Sequence, residues 1–134
     1  MATAFTFTKI VVSDLDRVIP FYRDAIGLRL LSRFIADGGD YAQEEAVLGG
    51  HGGDDGAGRG PLLMLVRYLA RPAPPVGAAW TGFSVDDLAA TVAAVERAGG
   101  KLVIPIMDVP EHKIAAAVVT DPEGHLVELT TPLG

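Results

Sequence analysis

The side chains able to do chemistry in this chain are few, and their spacing excludes more than it permits. None of the three histidines, His51, His112 and His125, has metal-ligand spacing to another. His125 follows the turn glycine Gly124 and reads as a residue that stabilises the turn or faces solvent, while His51 sits in the glycine-rich run Gly49 to Gly60 (GGHGGDDGAGRG). That run lacks both the Lys-Ser or Lys-Thr end and the strand-to-helix placement of a phosphate-binding loop. There is no cysteine, no G-x-S-x-G elbow and no serine with an evident histidine partner, so thiolate and covalent acyl chemistry have no support.

The elements that must position any remaining chemistry are revealed by a repeat. Thr8, Val12, Asp14, Leu15, Ala25 and Gly27 recur as Thr81, Val85, Asp87, Leu88, Ala98 and Gly100, each 73 residues on. In both copies a β-type run leads through an acidic cap into a helix that ends at glycine. A duplicated unit of this size cannot bury its apolar face alone, so the cleft between two packed copies is where a site is expected.

The first copy predicts a strand at Phe5 to Val12, then a helix capped by Ser13-Asp14 and running to Ile26, with Leu15, Val18, Ile19, Tyr22 and Ile26 as its core stripe. Pro20 denies the carbonyl of Asp16 its helical donor, so a kink or an irregular first turn is expected there. Leu28 to Ala36, Tyr41 to Leu48 and Leu62 to Tyr68 read as strands, with a tight turn at 37–40. The glycine run forms a loop, and Ala70 to Gly77 (ARPAPPVG) is a proline-stiffened linker. The second copy predicts a strand from Trp80, a helix capped by Asp86 or Asp87 and running to Ala98, and a strand Lys101 to Met107. A loop from Asp108 to His112 precedes strands Lys113 to Thr120 and Leu126 to Thr131, paired around Asp121-Pro122-Glu123-Gly124. The order is βαβββ twice, an α+β architecture in one domain with module one at 1–69, a linker at 70–78 and module two at 79–134.

Bulk properties narrow the partners. A chain of 134 residues can bury a sizeable core as one domain. Its net charge of −6, with 11 Lys and Arg against 17 Asp and Glu, argues against nucleic acid. Apolar runs are broken well short of the roughly 18 residues of a membrane span. Met1 to Phe7 has no secretory-signal character, so a soluble protein of the cytoplasm is expected.

Three stretches then give the chain a family likeness: VSDLDRVIPFYRDAIGL at Val12 to Leu28, FSVDDLAATVAAVERAGG at Phe83 to Gly100, and VVTDPEGHLVEL at Val118 to Leu129. With them the chain resembles the vicinal oxygen chelate superfamily, the group of glyoxalase I, extradiol dioxygenases and bleomycin resistance proteins. The resemblance implies two βαβββ modules, each a curled sheet, forming an incomplete barrel around a small-molecule cavity, usually in a homodimer. It also implies a divalent metal held by His, Gln or Glu in that cavity.

The ligand positions implied by the resemblance are largely apolar here. The first-strand position that commonly holds His is Phe7, its counterpart before Asp87 is Trp80, and the last-strand position of module one falls at Met64 or Leu65. Glu128 alone keeps a ligand-type side chain, whereas open catalytic sites take three protein ligands. No metal or other cofactor is therefore expected. A carboxylate facing Phe7, Trp80 and Met64 would be poorly solvated, which favours its neutral form and suits Glu128 to proton transfer; the bland alternative is that it pairs with Arg33 or Arg67, or is left over from an ancestral metal site. Phe7 and Trp80 either stack on a flat ligand or fill the barrel centre as core. Tyr41 is expected to reach the cavity from the second hairpin, Tyr22 and Tyr68 belong to core or interface, and the glycine loop is a candidate lid. His112, in PEHK, is a second proton-transfer candidate, because the corresponding loop in the family borders the cavity mouth; the alternative is a surface histidine.

Two functions follow: a metal-independent enzyme of isomerase, epimerase, lyase or hydrolase type with Glu128 as acid or base, or a protein that sequesters an aromatic or antibiotic-like ligand without catalysis. A metal-dependent lyase or dioxygenase stands third.

Overall fold

The computed structural model describes residues 2–50 and 60–134. His51 and most of the glycine run, with its suggested role as a lid, lie outside the described residues. No helix among them is long and apolar enough to cross a membrane. The chain divides into two compact units: Met1–Ile19 with Gly27–Pro74, and Pro20–Ile26 with Pro75–Gly134.

Unit 1 carries strands β1 (Phe7–Val11), β2 (Arg29–Ala36), β3 (Gln43–Gly49) and β4 (Leu62–Tyr68), with helix α1 (Leu15–Pro20). Its sheet has the order β1-β4-β3-β2, in which β1 runs parallel to β4 and the other pairs are antiparallel. Unit 2 repeats the plan with β5 (Trp80–Ser84), α2 (Leu88–Arg97), β6 (Lys101–Val109), β7 (Ile114–Thr120) and β8 (Leu126–Pro132), in the order β5-β8-β7-β6 and with β5 parallel to β8. Both sheets are four-stranded and unclosed, and each unit follows the βαβββ order expected of this α+β chain.

Local chemistry explains the repeated features. Asp14 accepts a hydrogen bond from the backbone N–H of Arg17 at 3.3 Å, and Asp87 accepts from that of Ala90 at 3.0 Å. Each carboxylate satisfies an N–H that a helix start leaves without a partner, worth about 1 kcal/mol. Of the two caps considered for the second helix, Asp87 is the one used. Beyond the caps, α2 buries Leu88, Val92 and Val95 against β6, β7 and β8, where Val119, Val127 and Leu129 are fully enclosed. Each such side chain contributes about 1.5–3 kcal/mol by leaving water.

The irregularity expected at Pro20 is present in a different form. The α-helix ends at Pro20 and the chain continues as a π-helical stretch, Phe21–Ile26. A proline brings no N–H for the carbonyl one turn back, and the wider winding begins directly after it. The same residue marks the boundary between the units, and Phe21–Ile26 packs on α2 in unit 2.

Other boundaries shift by a few residues. Gly39–Tyr41 forms a short 3₁₀ turn, so β3 begins at Gln43 and not at Tyr41. Asp108 and Val109 extend β6, leaving only Pro110–His112 as a second 3₁₀ turn. Lys113 adopts a left-handed φ of 58° and cannot start the next strand.

Candidate functional site

The face of each sheet turned away from its helix carries the candidate residues. Because β5 and β8 are parallel and in register, Trp80 lies beside Leu126 and Gly82 beside Glu128. Side chains alternate along a strand, so the burial of Val127 and Leu129 on the helix side sends Leu126, Glu128 and Thr130 to the open side. On its other flank Glu128 pairs with Val118 of β7. Glu128 is thus an acid set among Trp80, Leu126 and Val118, and Gly82 leaves the space beside it clear: a Cβ there would meet nothing nearer than the Glu128 carbonyl at 3.9 Å. Trp80 is 53% exposed.

The same construction in unit 1 has a different content. Phe7 lies beside Leu62 and Lys9 beside Met64. Met64 therefore holds the place in its sheet that Glu128 holds in unit 2, two residues along from the strand-opening aromatic, while Leu65 is fully buried on the helix side. Phe7 is 46% exposed. The surprise is Lys9. Its ammonium donates to Gln43 Oε1 at 2.8 Å and pairs with Glu45 Oε1 at 3.1 Å, although Glu45 is only 5% exposed.

Sequence reasoning passed over Lys9, Gln43 and Glu45. The available signal was alternation: in Gln43-Glu44-Glu45 the two glutamates must point to opposite faces. Glu44 goes to the helix side, where Arg33 donates to it at 2.9 Å and Arg67 at 3.3 Å, and Arg33 also donates to Asp16 at 2.7 Å. The hydrogen bond from Arg33 holds the Glu44 carboxyl below the usual carboxylate range, with Arg67 adding to it against the opposing effect of burial. The two arginines considered as partners for Glu128 are thus engaged by Glu44 and Asp16.

The remaining candidates are dispersed. His112 is exposed in the Pro110–His112 turn. The β7 residue beside Glu128 is Val118, and Ile114 at the start of β7 is already about 13 Å along the strand from it, so the fold does not bring His112 and Glu128 together as an acid–base pair. Tyr41 is 62% exposed; its ring meets Tyr68 edge-on at 6.0 Å, with the Arg71 guanidinium 4.4 Å over it.

His125 and Tyr22 have structural posts. Asp121, 2% exposed, accepts hydrogen bonds from Tyr22 Oη at 2.8 Å, His125 Nδ1 at 2.8 Å and the backbone N–H groups of Glu123 and His125. Burial pushes its carboxyl up, but the bonds from His125 and Tyr22 outweigh that and hold it below the ordinary range. For Tyr22, burial and then the adjacent Asp121 charge push the phenol far up, so it remains a neutral donor.

A metal does not fit the places where the family resemblance puts one. Phe7 and Trp80 offer no donor, the Met64 thioether is a soft and weak one, and a lone carboxylate at Glu128 cannot replace three ligands. Among the described residues no group of three His, Cys, Asp or Glu is placed to hold a metal ion.

Two βαβββ units, each with a parallel outer strand pair, define the glyoxalase-like class of α+β folds. The chain belongs to the Glyoxalase/Bleomycin resistance protein/Dioxygenase superfamily, whose family model matches residues 4–129. It is 32% identical over 123 residues to a lactoylglutathione lyase of Haemophilus influenzae, covering 90% of this chain and 87% of the relative. Its fold superposes with a TM-score of 0.82 on a glyoxalase family protein from Bacillus cereus, at 23% identity and over 100% of this chain and 97% of that one. An antibiotic-binding protein from a Streptomyces species matches with a TM-score of 0.69 at 21% identity, over 98% of this chain and 97% of that one.

Proposed function

We propose that this chain is a metal-independent enzyme of the superfamily that moves a proton on a small carbonyl-bearing substrate, with Glu128 as the acid or base. The observation that carries this reading is the open face of unit 2, where one carboxylate lies among Trp80, Leu126 and Val118 and glycine keeps its flank accessible. A carboxylate there can take a proton from a carbon next to a carbonyl and return it to a neighbouring atom, a reaction that consumes no oxidant and needs no nucleophile. The lyase name of the Haemophilus relative favours catalysis over binding alone. A second reading, sequestration of an aromatic ligand, draws on the half-exposed Trp80 and Phe7.

The test begins with native mass spectrometry of the protein as purified and after incubation with zinc, nickel, iron or manganese. Turnover of lactoylglutathione, the compound in the relative's name, is then assayed with and without chelator. The expected result is metal-free protein whose activity survives chelation and falls about 100-fold or more in Glu128→Gln. Stoichiometric metal, or loss of activity on chelation, overturns the metal-independent reading. Full activity of Glu128→Gln removes Glu128 from the chemistry, and retained ligand without turnover favours sequestration.

A further inference from the structure

The open face of unit 1 contains a polar device that proton transfer at Glu128 does not use. Lys9 projects from β1 and reaches across β4 to two residues of β3, donating to Gln43 Oε1 and pairing with Glu45. Gln43 is itself oriented, because its Nε2 donates to the Tyr41 carbonyl at 3.0 Å and so turns Oε1 toward the ammonium. Two of the three ammonium donors are thereby committed in fixed directions, leaving the third for a ligand, and the Lys9 side chain keeps 36% of its exposure.

The surroundings set the chemistry of that ligand. Phe34 stands beside Glu45 in the β2–β3 register and is 46% exposed. Phe34, next to the carboxylate that holds the ammonium, thus offers an apolar, ring-accepting surface beside one hydrogen-bond donor, whereas Phe7 stands three strands away on β1. The charge of Lys9 is already matched by the almost enclosed carboxylate of Glu45. A carboxylate ligand would add a second negative charge beside Glu45, whose ion pair already uses the charge of Lys9, whereas a neutral carbonyl oxygen accepts the third N–H without changing the charge balance.

We propose that Lys9, oriented by Gln43 and Glu45, is the carbonyl-recognition residue of this face and that the molecule it takes is a neutral aromatic ketone or quinone, its ring resting on Phe34. The proposal rests on the reading that the open faces accept a small molecule, but not on Glu128 or on metal independence.

The experiment is a calorimetric titration of the full chain with three probes of one shape: 2-acetonaphthone, 2-ethylnaphthalene and 2-naphthoate. It is run on wild type and on the double variant Lys9→Met/Glu45→Gln, which removes the donor without stranding a buried charge. Wild type should prefer the ketone over the hydrocarbon by about tenfold, the worth of one hydrogen bond from a charged donor, and should bind naphthoate more weakly than the ketone. In the double variant the ketone preference should fall to within twofold while hydrocarbon affinity stays unchanged. Equal binding of ketone and hydrocarbon by wild type, a preference that survives in the variant, or naphthoate as the tightest ligand each overturns the proposal. Binding of none of the three also overturns it, and leaves the mass-spectrometric and Glu128→Gln results to judge the proposed function separately.

Discussion

The two units use one plan and place opposite charges on it. In unit 1 the pair in register two residues after the opening aromatic is Lys9 with Met64; in unit 2 it is Gly82 with Glu128. Duplication has kept the backbone register, the acidic caps and the alternation of faces, while the side chains on the open faces have diverged to a cation held by a buried acid on one sheet and a lone acid among apolar groups on the other. Secondary structure and core are thus set by features both copies share, and chemistry by what they do not share.

The sharpest way to break the equivalence is through two glycines that the repeat treats as the same. Gly27 has a φ of +96° and nothing within 4 Å of where a Cβ would stand. Gly100 is not in the left-handed region, but a Cβ there would run into the Thr120 carbonyl oxygen and lie 2.7 Å from Val95 and 2.8 Å from Phe21. One glycine is needed for its backbone freedom and the other for its missing side chain. Gly100→Ala should therefore be the more damaging, destabilising by about 3 kcal/mol or more through forced displacement of packed backbone. Gly27→Ala should lose about 1–2 kcal/mol from left-handed strain alone. Urea midpoints at constant m-value separate the two, and equal losses would show that the glycines are interchangeable after all.

Unit 2 holds a buried acid, Asp121, at the turn before its last strand, which gives the next largest effect. Asp121→Asn should destabilise by about 2–3 kcal/mol by weakening the bonds from Tyr22 and His125. The carboxyl is held below its ordinary range in the folded state, so the unfolded chain takes up its proton at higher pH than the folded one. The stabilisation is present above the unfolded value, near 3.9, and is lost as pH falls through the lower folded value. Wild type should lose stability over that acid window and Asp121→Asn should lose less, a comparison made by denaturant melts between pH 6 and 2.5.

These contrasts also measure what could be read from the sequence. The repeat, the acidic caps and the strand alternation are local signals, and they placed nearly every element. The places of Phe7, Met64, Trp80 and Glu128 in the sheets depend only on register within a parallel strand pair, so those positions too were legible. Lys9 with Gln43 was not, because the pair is 34 residues apart and meets only through a sheet order that puts β4 between them. Tyr22 with Asp121, 99 residues apart, depends on the π-helical stretch after Pro20, and a proline announces an irregularity without saying which unit the chain beyond it will join.

On the open face of unit 1, Lys9→Met leaves Glu45 buried without its cation. A buried pair broken on one side costs about 3–5 kcal/mol, and the partial exposure of Lys9 reduces this to about 2 kcal/mol. Adding Glu45→Gln should recover most of the loss. No recovery in the double variant would mean that the Lys9 stem contributes through packing over β4 rather than through its charge.

The smallest stability change should come from the acid of unit 2. Glu128 lies on an open face with no salt bridge or side-chain hydrogen bond among the described residues and glycine on one flank, so Glu128→Gln, which keeps shape and removes charge, should shift stability by about 0.5 kcal/mol or less. An acid that stabilises nothing and is nonetheless set among Trp80, Leu126 and Val118 has its use in what approaches it from outside. A loss well above 1 kcal/mol in the denaturant melt would reverse that inference, because it would make Glu128 a structural acid of the same kind as Asp121 and leave the open face of unit 2 without a reactive group.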